Sequence, residues 1–305
     1  MINHTQRRVS AGAAGGFDVW TAEANTHGPH VVVLGGIHGD ETQGVLAAGR
    51  LAANATVLTR GSISIVPISH EAAYRADNRT STIDGGNLAR VFPGDPDGGA
   101  TEQIAHHIFT EVLDGADLLI DLHTSGQGYD MPFLAGYQAE IASADSLARQ
   151  AALAFGADFV WRHPRRSEGR TVSVVDQAIY VECSGGGSMS PASVDAYVAG
   201  VQRVLALMNM VADTSSDTAR AAIRVTGGGD LDHDMISVQH AGLFLTDVVG
   251  GAKVHAGQLL GTVVATSGQV LEEVIAPNEA WVMAIKRRPP VVPDDLVVCL
   301  AATDH

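Results

Sequence analysis

The chain has 305 residues and a formal net charge of −15, from 34 acidic and 19 basic side chains with neutral histidines. A field of that sign repels nucleic acids and anionic membrane surfaces, so neither is expected as a partner. Two cysteines make no disulfide scaffold, and neither a membrane-spanning run nor a hydrophobic signal core is present. We therefore expect a soluble cytoplasmic protein with two free thiols and, from its length, two domains.

The first informative stretch is the short apolar run Val31 to Leu34, which ends at the glycine pair Gly35-Gly36. An uninterrupted β-branched run is typical of a strand covered on both faces. Apolar residues recur at near-helical spacing after Glu41, so His38 and Glu41 are expected between the strand and the first helical turn. Imidazole and carboxylate are both zinc ligands. The pair is a candidate half site, although a surface turn can produce a His-x-x-Glu pair by chance.

A long irregular segment, 69–100, follows a second predicted strand, Ser62 to Val66. Loops of this length in a compact domain are usually functional or disordered. Apolar anchors spread through the segment argue against disorder. Arg79, Asn87 and Arg90 are therefore expected to lie in an ordered, functional loop.

The next buried strand is predicted over 117–123, and it ends on His123. Open α/β sheets bind ligands at the carboxyl ends of their strands. If this strand runs parallel to the first, His123 joins His38 and Glu41 at one edge, as two short-spaced ligands and one distant ligand do in catalytic zinc sites. Asp121 lies on the same strand face and either orients the His123 imidazole or makes an ordinary buried hydrogen bond.

Alternation of helices and strands continues to about residue 210. Glu182 lies inside a predicted strand, 178–183, where an acid is costly unless it is paired or functional. The segment 163–171 is basic, with arginines at 162, 165, 166 and 170, and is either a solvated loop or a rim that attracts an anionic substrate. Three helices are predicted in this part of the chain, over 102–113, 143–155 and 191–210. Thr101 is the predicted N-cap of the first.

In the last part of the chain, short runs of alternating apolar and polar residues are separated by glycines, a pattern that predicts a β domain over 216–305. The catalytic domain is then expected over 1–215. The stretch 250–277 resembles the hairpin barrel of lipoyl and biotinyl domains. A carrier domain needs a lysine at the hairpin tip, here 266–269, but the chain's only lysines are Lys253 and Lys286. A swinging-arm carrier role is therefore not expected.

Several motifs together give the chain a resemblance to the succinylglutamate desuccinylase and aspartoacylase family, which is related to the zinc carboxypeptidases. They are Gly35-Gly-Ile-His-Gly-Asp-Glu41, Asn87-Leu-Ala-Arg-Val-Phe-Pro-Gly94, Asp121-Leu-His123 and the Glu182 strand with the glycines behind it. The resemblance implies an α/β fold with a mostly parallel or mixed sheet flanked by helices, followed by the β domain. It also implies one Zn²⁺ ion per chain and hydrolysis of an N-acylated, amino-acid-like substrate.

Carried over by position, the resemblance assigns His38, Glu41 and His123 as metal ligands and Glu182 as the catalytic carboxylate. It assigns Arg79 to polarising the scissile carbonyl, although the spacing from Arg79 to Arg90 is longer than in aspartoacylases.

The family's substrate-carboxylate site departs from its usual pattern in this chain. An Asn-Arg pair usually grips the carboxylate, but here Ala89 precedes Arg90. Arg90 can still bind a carboxylate bidentately. Asn87 is the candidate replacement for the missing amide, because residues two apart in an extended segment face the same way.

Three functions follow from these patterns. A zinc-dependent N-deacylase that uses a metal-activated water is the leading hypothesis. A zinc carboxypeptidase acting on small peptides is the second, and a non-catalytic binding protein is the third. The acyl group, the amine and homo-oligomerisation stay open.

Overall fold

The computed structural model describes residues 2–12, 15–54, 57–138, 145–163, 168–185, 189–212, 221–228 and 231–304. The helices in these ranges are α1 (Thr42–Ala53), α2 (Glu71–Arg75), α3 (Ala100–Ile108), α4 (Leu147–Phe155) and α5 (Pro191–Leu207). The strands are β1 (Ile2–Ser10), β2 (Gly16–Ala24), β3 (His30–Gly35), β4 (Ser62–Val66), β5 (Leu118–Leu122), β6 (Tyr129–Asp130), β7 (Leu134–Gln138), β8 (Phe159–His163), β9 (Ala178–Glu182), β10 (Ile223–Thr226), β11 (Met235–Ser237), β12 (Gly242–Leu245), β13 (Lys253–Val254), β14 (Leu259–Val264), β15 (Val270–Ile275), β16 (Ala280–Lys286), β17 (Pro290–Val291) and β18 (Leu296–Thr303).

Most of the described strands form one mixed sheet, as the sequence predicts. Its order is β1-β2-β4-β3-β5-β9-β7-β8-β10-β18-β16-β13, with β6 paired to β16 and β11 paired to β18. The central strands β4, β3, β5 and β9 run parallel to one another. A second, antiparallel sheet has the order β15-β14-β12-β17.

Helices cover both faces of the parallel strands. In β3, Val31 and Val33 pack into the core that contains α1, α4 and α5. Val32 and Leu34 point the opposite way, into the core that contains α3. Burial on both faces explains why this strand is apolar at every position instead of alternating.

The start of α3 differs from the prediction. The helix begins at Ala100, and Gly99 occupies the N-cap position predicted for Thr101. The reason is a long-range contact, because the Asp84 carboxylate accepts hydrogen bonds from the Thr101 backbone amide and hydroxyl. The predicted last turn continues as a π-helical turn, Phe109–Leu113. Of the helix predicted over 143–155, residues 143 and 144 lie outside the described ranges.

The C-terminal strands continue the main sheet. Strand β10 pairs in parallel with β8 and antiparallel with β18. This segment also has an apolar core of its own, between strands β12, β14, β16 and β18. The β14–β15 hairpin turns at 265–269, as predicted, and that turn has no lysine. The barrel-like character and the domain boundary at residue 215 stay predictions, since 213–220 are outside the described part of the chain.

Two further expectations bear on the protein's environment. Cys183 and Cys299 are both buried free thiols, as predicted. Among the described residues, no helix combines the length and the apolar character that crossing a membrane requires.

Replacing Gly44 with alanine tests how tightly α1 packs on the sheet. A Cβ at Gly44 would lie 2.4 Å from the Leu122 carbonyl oxygen of β5. Because this neighbour is backbone, we expect overpacking to lower the free energy of unfolding by about 2 kcal/mol, measured by urea denaturation. Gly49→Ala in the same helix is the control. Its Cβ would meet no atom within 4 Å, and alanine there should raise stability by up to about 1 kcal/mol. Equal effects of the two changes would contradict the packing argument.

Candidate active site

Two parallel strands deliver the predicted metal ligands to one edge of the sheet. Strands β3 and β5 pair in parallel, so their carboxyl ends lie side by side. Gly36 has a φ of +61°, a left-handed conformation that favours glycine, and it turns the chain immediately after β3. His38 and Glu41 follow in the loop before α1, and His123 comes directly after β5. The structure therefore brings together the three side chains that the sequence singled out.

These three side chains form a buried group around the Glu41 carboxylate. A nitrogen or oxygen atom from each lies within 4.8 Å of the others. Glu41 Oε1 is 2.9 Å from His38 Nδ1, and Glu41 Oε2 is 2.9 Å from His123 Nδ1. The Thr124 backbone amide also donates to Glu41 Oε2. At 2%, 1% and 8% exposure for His38, Glu41 and His123, the group has little contact with bulk water.

The outer nitrogen of each imidazole has its own acceptor. His38 Nε2 lies 3.0 Å from Asn87 Oδ1, and His123 Nε2 lies 3.0 Å from Asp121 Oδ2. An acceptor at Nε2 favours the tautomer in which that nitrogen carries the proton and Nδ1 keeps its lone pair. Both Nδ1 atoms face the Glu41 carboxylate, so each ring is oriented to present a lone pair to a cation between them.

The charges of the group favour a cation. Burial by itself would raise the pKa of Glu41, but the neighbouring imidazoles lower it well below the usual value. Burial, together with the Arg79 charge, lowers the pKa of His38 to about 4, so this imidazole is neutral at pH 7. Burial by itself would lower the pKa of His123, but the Asp121 and Glu41 carboxylates raise it well above 6.5. A positive charge is therefore stabilised beside these two carboxylates.

The donor set fits a zinc ion. Two imidazole nitrogens and one carboxylate oxygen are the three protein ligands of many catalytic zinc sites, which leave a fourth position open. Asn87 and Asp121 supply the supporting hydrogen bonds that such imidazoles need. A divalent cation would also provide the positive charge that Glu41 and Asp121 stabilise here. The residues present therefore fit the metal that the sequence predicts.

Strand β9 places Glu182 beside this group. The backbone amide of His123 donates to the Val181 carbonyl across β5 and β9. Glu182 is 8% exposed, and among the described residues its Oε2 atom has no hydrogen-bond partner. Burial, and after it repulsion from the Glu41 carboxylate, raise its pKa well above the usual value. A buried acid with a raised pKa is suited to holding and passing a proton.

Arg79 comes from the irregular segment between α2 and α3. Its Nη1 donates to Glu41 Oε1 at 2.8 Å, and 39% of its side chain is exposed. It lines the same cavity as His38, His123 and Glu182, which has a volume of about 500 Å³. The structure thus brings Arg79 to the site, and its action on a substrate carbonyl stays a prediction.

The two predicted substrate-binding residues have different surroundings. Arg90 lines the cavity, but its Nε and Nη2 atoms lie 2.7 and 3.4 Å from the two Asp232 carboxylate oxygens. The Oδ1 atom of Asn87 accepts hydrogen bonds from His38 Nε2 and from the Ala89 backbone amide. In this arrangement Asn87 supports a candidate metal ligand, and its contact with substrate stays a prediction.

Sequence patterns did not single out Asp232. This residue also accepts a hydrogen bond from Arg170 Nη2 at 3.0 Å, and Arg170 lines the cavity. Arg170 belongs to the basic segment 163–171, for which the sequence allows either a solvated loop or a rim that attracts an anionic substrate. Arg162, which directly precedes this segment, pairs with Asp304 instead, and 164–167 are outside the described ranges. Asp232 is a single acidic residue in a segment predicted to be β structure, and no motif or spacing around it indicates a role.

Replacing Asp121 with asparagine should weaken metal binding. The change removes the negative charge that faces His123 Nε2 at 3.0 Å while keeping the side-chain size. Loss of such a supporting partner typically costs about 10–100-fold in metal affinity or activity. Competition with a zinc chelator measures the effect. An unchanged zinc affinity would assign Asp121 an ordinary buried hydrogen bond, the other role that the sequence left open.

A mixed sheet that presents two histidines and a glutamate at its carboxyl edge, beside a buried acid, defines an α/β domain with a candidate metal centre. The chain belongs to the succinylglutamate desuccinylase/aspartoacylase family, since the profile of that family's catalytic domain matches residues 27–208.

The similarity to individual relatives extends beyond residues 27–208. N-alpha-acetyl-L-2,4-diaminobutyric acid deacetylase from Halomonas elongata is 30% identical over 277 residues, which are 86% of this chain and 78% of that protein. The product-bound structure of the ectoine utilization protein EutE (DoeB) from Ruegeria pomeroyi has a TM-score of 0.87 and 28% identity, covering 99% of this chain and 95% of that one. A succinylglutamate desuccinylase from Silicibacter sp. TM1040 has a TM-score of 0.84 and 25% identity, covering 99% and 95%.

Proposed function

We propose that this protein is a zinc-dependent hydrolase that removes an N-acyl group from an amino-acid-like substrate. The observation that carries the proposal is the buried His38–Glu41–His123 group, whose donor atoms lie within 4.8 Å of one another beside Glu182 in a common cavity. The relatives named as a deacetylase and a desuccinylase support the same class of reaction.

When bound by His38, Glu41 and His123, a zinc ion supplies Lewis acidity toward the scissile carbonyl and lowers the pKa of water. Glu182 accepts a proton from the attacking water and later donates it to the departing amine. Its burial suits this role, because a carboxyl with a raised pKa gains and loses a proton more evenly near neutral pH. The Arg79 guanidinium, which already lies 2.8 Å from Glu41, stabilises the negative charge that develops on the carbonyl oxygen.

The supporting residues keep these groups in place. Asn87 and Asp121 hold the two imidazoles through their outer nitrogens, so substrate binding need not reorganise the ligands. Preorganised groups of this kind stabilise a transition state without a reorganisation cost during the reaction.

The proposal is tested by incubating the zinc-loaded protein with N-acetyl amino acids and, separately, with blocked dipeptides. Release of acetate from the N-acetyl amino acids is expected. Cleavage of the dipeptides alone would identify a carboxypeptidase instead. Elemental analysis gives an independent check, since less than one zinc ion per chain would favour a non-catalytic binding protein.

A further inference from the structure

The loop that follows His123 also contacts the segment behind Glu182. This loop, 124–130, leads from a candidate metal ligand into the short strand β6. Near its start, Ser125 Oγ accepts a hydrogen bond from the Gly185 backbone amide at 2.7 Å. The loop therefore connects His123 with the strand end that carries Glu182, so its position bears on the distance between the two.

The C-terminal segment, 231–304, holds the other side of this loop. Strand β16 pairs with β6. The Arg287 backbone amide donates to the Gly128 carbonyl at 2.8 Å. The Tyr129 hydroxyl donates to the Leu296 carbonyl at 2.9 Å. These contacts place the loop against a part of the chain that lies outside the matched catalytic domain.

Asp130 joins these two sides of the loop. Its Oδ1 accepts a hydrogen bond at 2.9 Å from Ser184 Oγ, and Ser184 is the second residue after Glu182. Its Oδ2 accepts from the Arg287 guanidinium at 2.8 Å and from the Gly250 backbone amide at 3.0 Å. Burial by itself would raise the pKa of Asp130, but these donors lower it below the usual value, so the carboxylate is charged at neutral pH. One side chain therefore bridges the Glu182 strand end and two points of the C-terminal segment.

Gly250 brings the C-terminal segment against the cavity wall. A Cβ at Gly250 would lie 2.8 Å from the Met131 carbonyl carbon, so only glycine allows the two backbones to approach this closely. Met131 and Glu182 both line the cavity. The contacts that Asp130 makes with the C-terminal segment are therefore made next to the cavity.

We propose that Asp130 is a positioning residue through which the C-terminal segment fixes the Glu182 carboxyl relative to the candidate zinc ligands. Its contact with Ser184 holds the chain directly after Glu182, and its contacts with Arg287 and Gly250 hold Asp130 itself. Misplacing a catalytic group by about 1 Å can cost about a hundredfold in rate, so a carboxyl that must face both a water molecule and the departing amine depends on such support. This inference rests on the proposed deacylase function and assigns the C-terminal segment a role in that reaction.

The test removes the partners of Asp130 from either side, with Ser184→Ala and Arg287→Met. For the zinc-loaded protein and the N-acetyl amino acid that the wild type hydrolyses fastest, each change should lower kcat about tenfold and leave KM within about twofold. Both variants should still bind one zinc ion per chain. Ser184→Thr keeps the hydroxyl and should recover most of the wild-type kcat. A lower urea unfolding midpoint with an unchanged kcat would show a role in stability alone and would overturn the inference.

A double-mutant cycle tests whether Arg287 acts through Asp130. If it does, the double variant of Ser184→Ala and Arg287→Met should lose about as much kcat as either single variant. A loss of about a hundredfold, the product of two independent effects, would overturn the inference.

Lys286→Met is the matched control for Arg287→Met. It removes the same charge from the adjacent residue, but Lys286 Nζ pairs at 3.0 Å with Asp295, inside the C-terminal segment. Its kcat should stay within about twofold of the wild-type value. A loss of about tenfold in this variant as well would mean that any charge removed here slows the reaction, which would overturn the inference.

Failure of the proposed function gives a different result, since the wild type then releases no acetate. Hydrogen exchange of the Gly185 backbone amide decides the inference in that case, because this amide reports on the segment after Glu182 without any reaction. Exchange about tenfold faster in Ser184→Ala and in Arg287→Met, but not in Lys286→Met, supports it. Wild-type exchange in either of the first two variants overturns it.

Discussion

Replacing Glu182 with glutamine is expected to lower kcat for N-acyl hydrolysis by about a thousandfold, within the usual range for losing a general acid–base group. Glutamine keeps the shape and hydrogen-bonding capacity of a protonated glutamate but can neither accept a proton from water nor return one to the amine. Glu182 is buried, lines the cavity beside His123 and has a raised pKa. These properties are those of a group that exchanges protons during a reaction.

Zinc content separates this explanation from damage to the metal site. Glu182 is not one of the three side chains whose donor atoms converge, so Glu182→Gln should still bind one zinc ion per chain. Its unfolding midpoint in urea should also stay close to that of the wild type, because the substitution preserves volume. A variant that binds zinc normally and retains more than about a tenth of the wild-type kcat would remove Glu182 from the proton-transfer step.

The convergence of His38, Glu41 and His123 could be anticipated because it depends on local signals. An apolar run followed by glycines predicts a strand and a sharp turn, and a histidine after a second such strand predicts a second contribution to the same edge. The remaining condition was that the two strands run parallel, which the pairing of β3 with β5 satisfies. The position of Asp121, two residues before His123, followed from strand alternation alone and agrees with its contact at 3.0 Å.

Contacts between distant segments could not be anticipated in this way. Arg90 and Asp232 are separated by 142 residues, and nothing in either local sequence specifies their pairing. The same applies to Asp84, which takes over the capping of α3 and displaces the predicted N-cap. Asn87 is a related case, because its contact with His38 depends on how the irregular segment folds over the sheet edge. The spacing of apolar residues predicts helices and strands, but it does not specify which side chains from separate loops come into contact.

The arrangement of the C-terminal strands shows the same limit at a larger scale. The alternation of apolar and polar residues, interrupted by glycines, correctly predicts β structure there, including the position of the β14–β15 turn. It does not predict that β10 would join β8 and so extend the main sheet. That pairing carries the segment after β10 to the cavity, where Leu231, His233 and Asp234 line the wall. The cavity wall is therefore built partly by a segment that the sequence assigned to a separate domain.

The second large effect is expected for Glu41→Gln, which should strongly weaken zinc binding and, with it, hydrolysis. Glu41 contacts both imidazoles at 2.9 Å and accepts a hydrogen bond from Arg79. Glutamine removes the negative charge that a metal ligand supplies, so we expect zinc affinity to fall by more than about 100-fold, beyond the loss typical of a supporting residue. Elemental analysis after dialysis and the acetate-release assay measure the two losses.

Asp40→Asn is the matched control for this change. It removes one negative charge at the adjacent position, but Asp40 does not belong to the group of converging donor atoms. Burial and the neighbouring Glu41 charge raise the pKa of Asp40, so neutralising it relieves repulsion and should leave zinc bound. Zinc loss in both variants would mean that total negative charge retains the ion. Loss in Glu41→Gln alone would mean that retention requires a carboxylate placed between the two imidazoles.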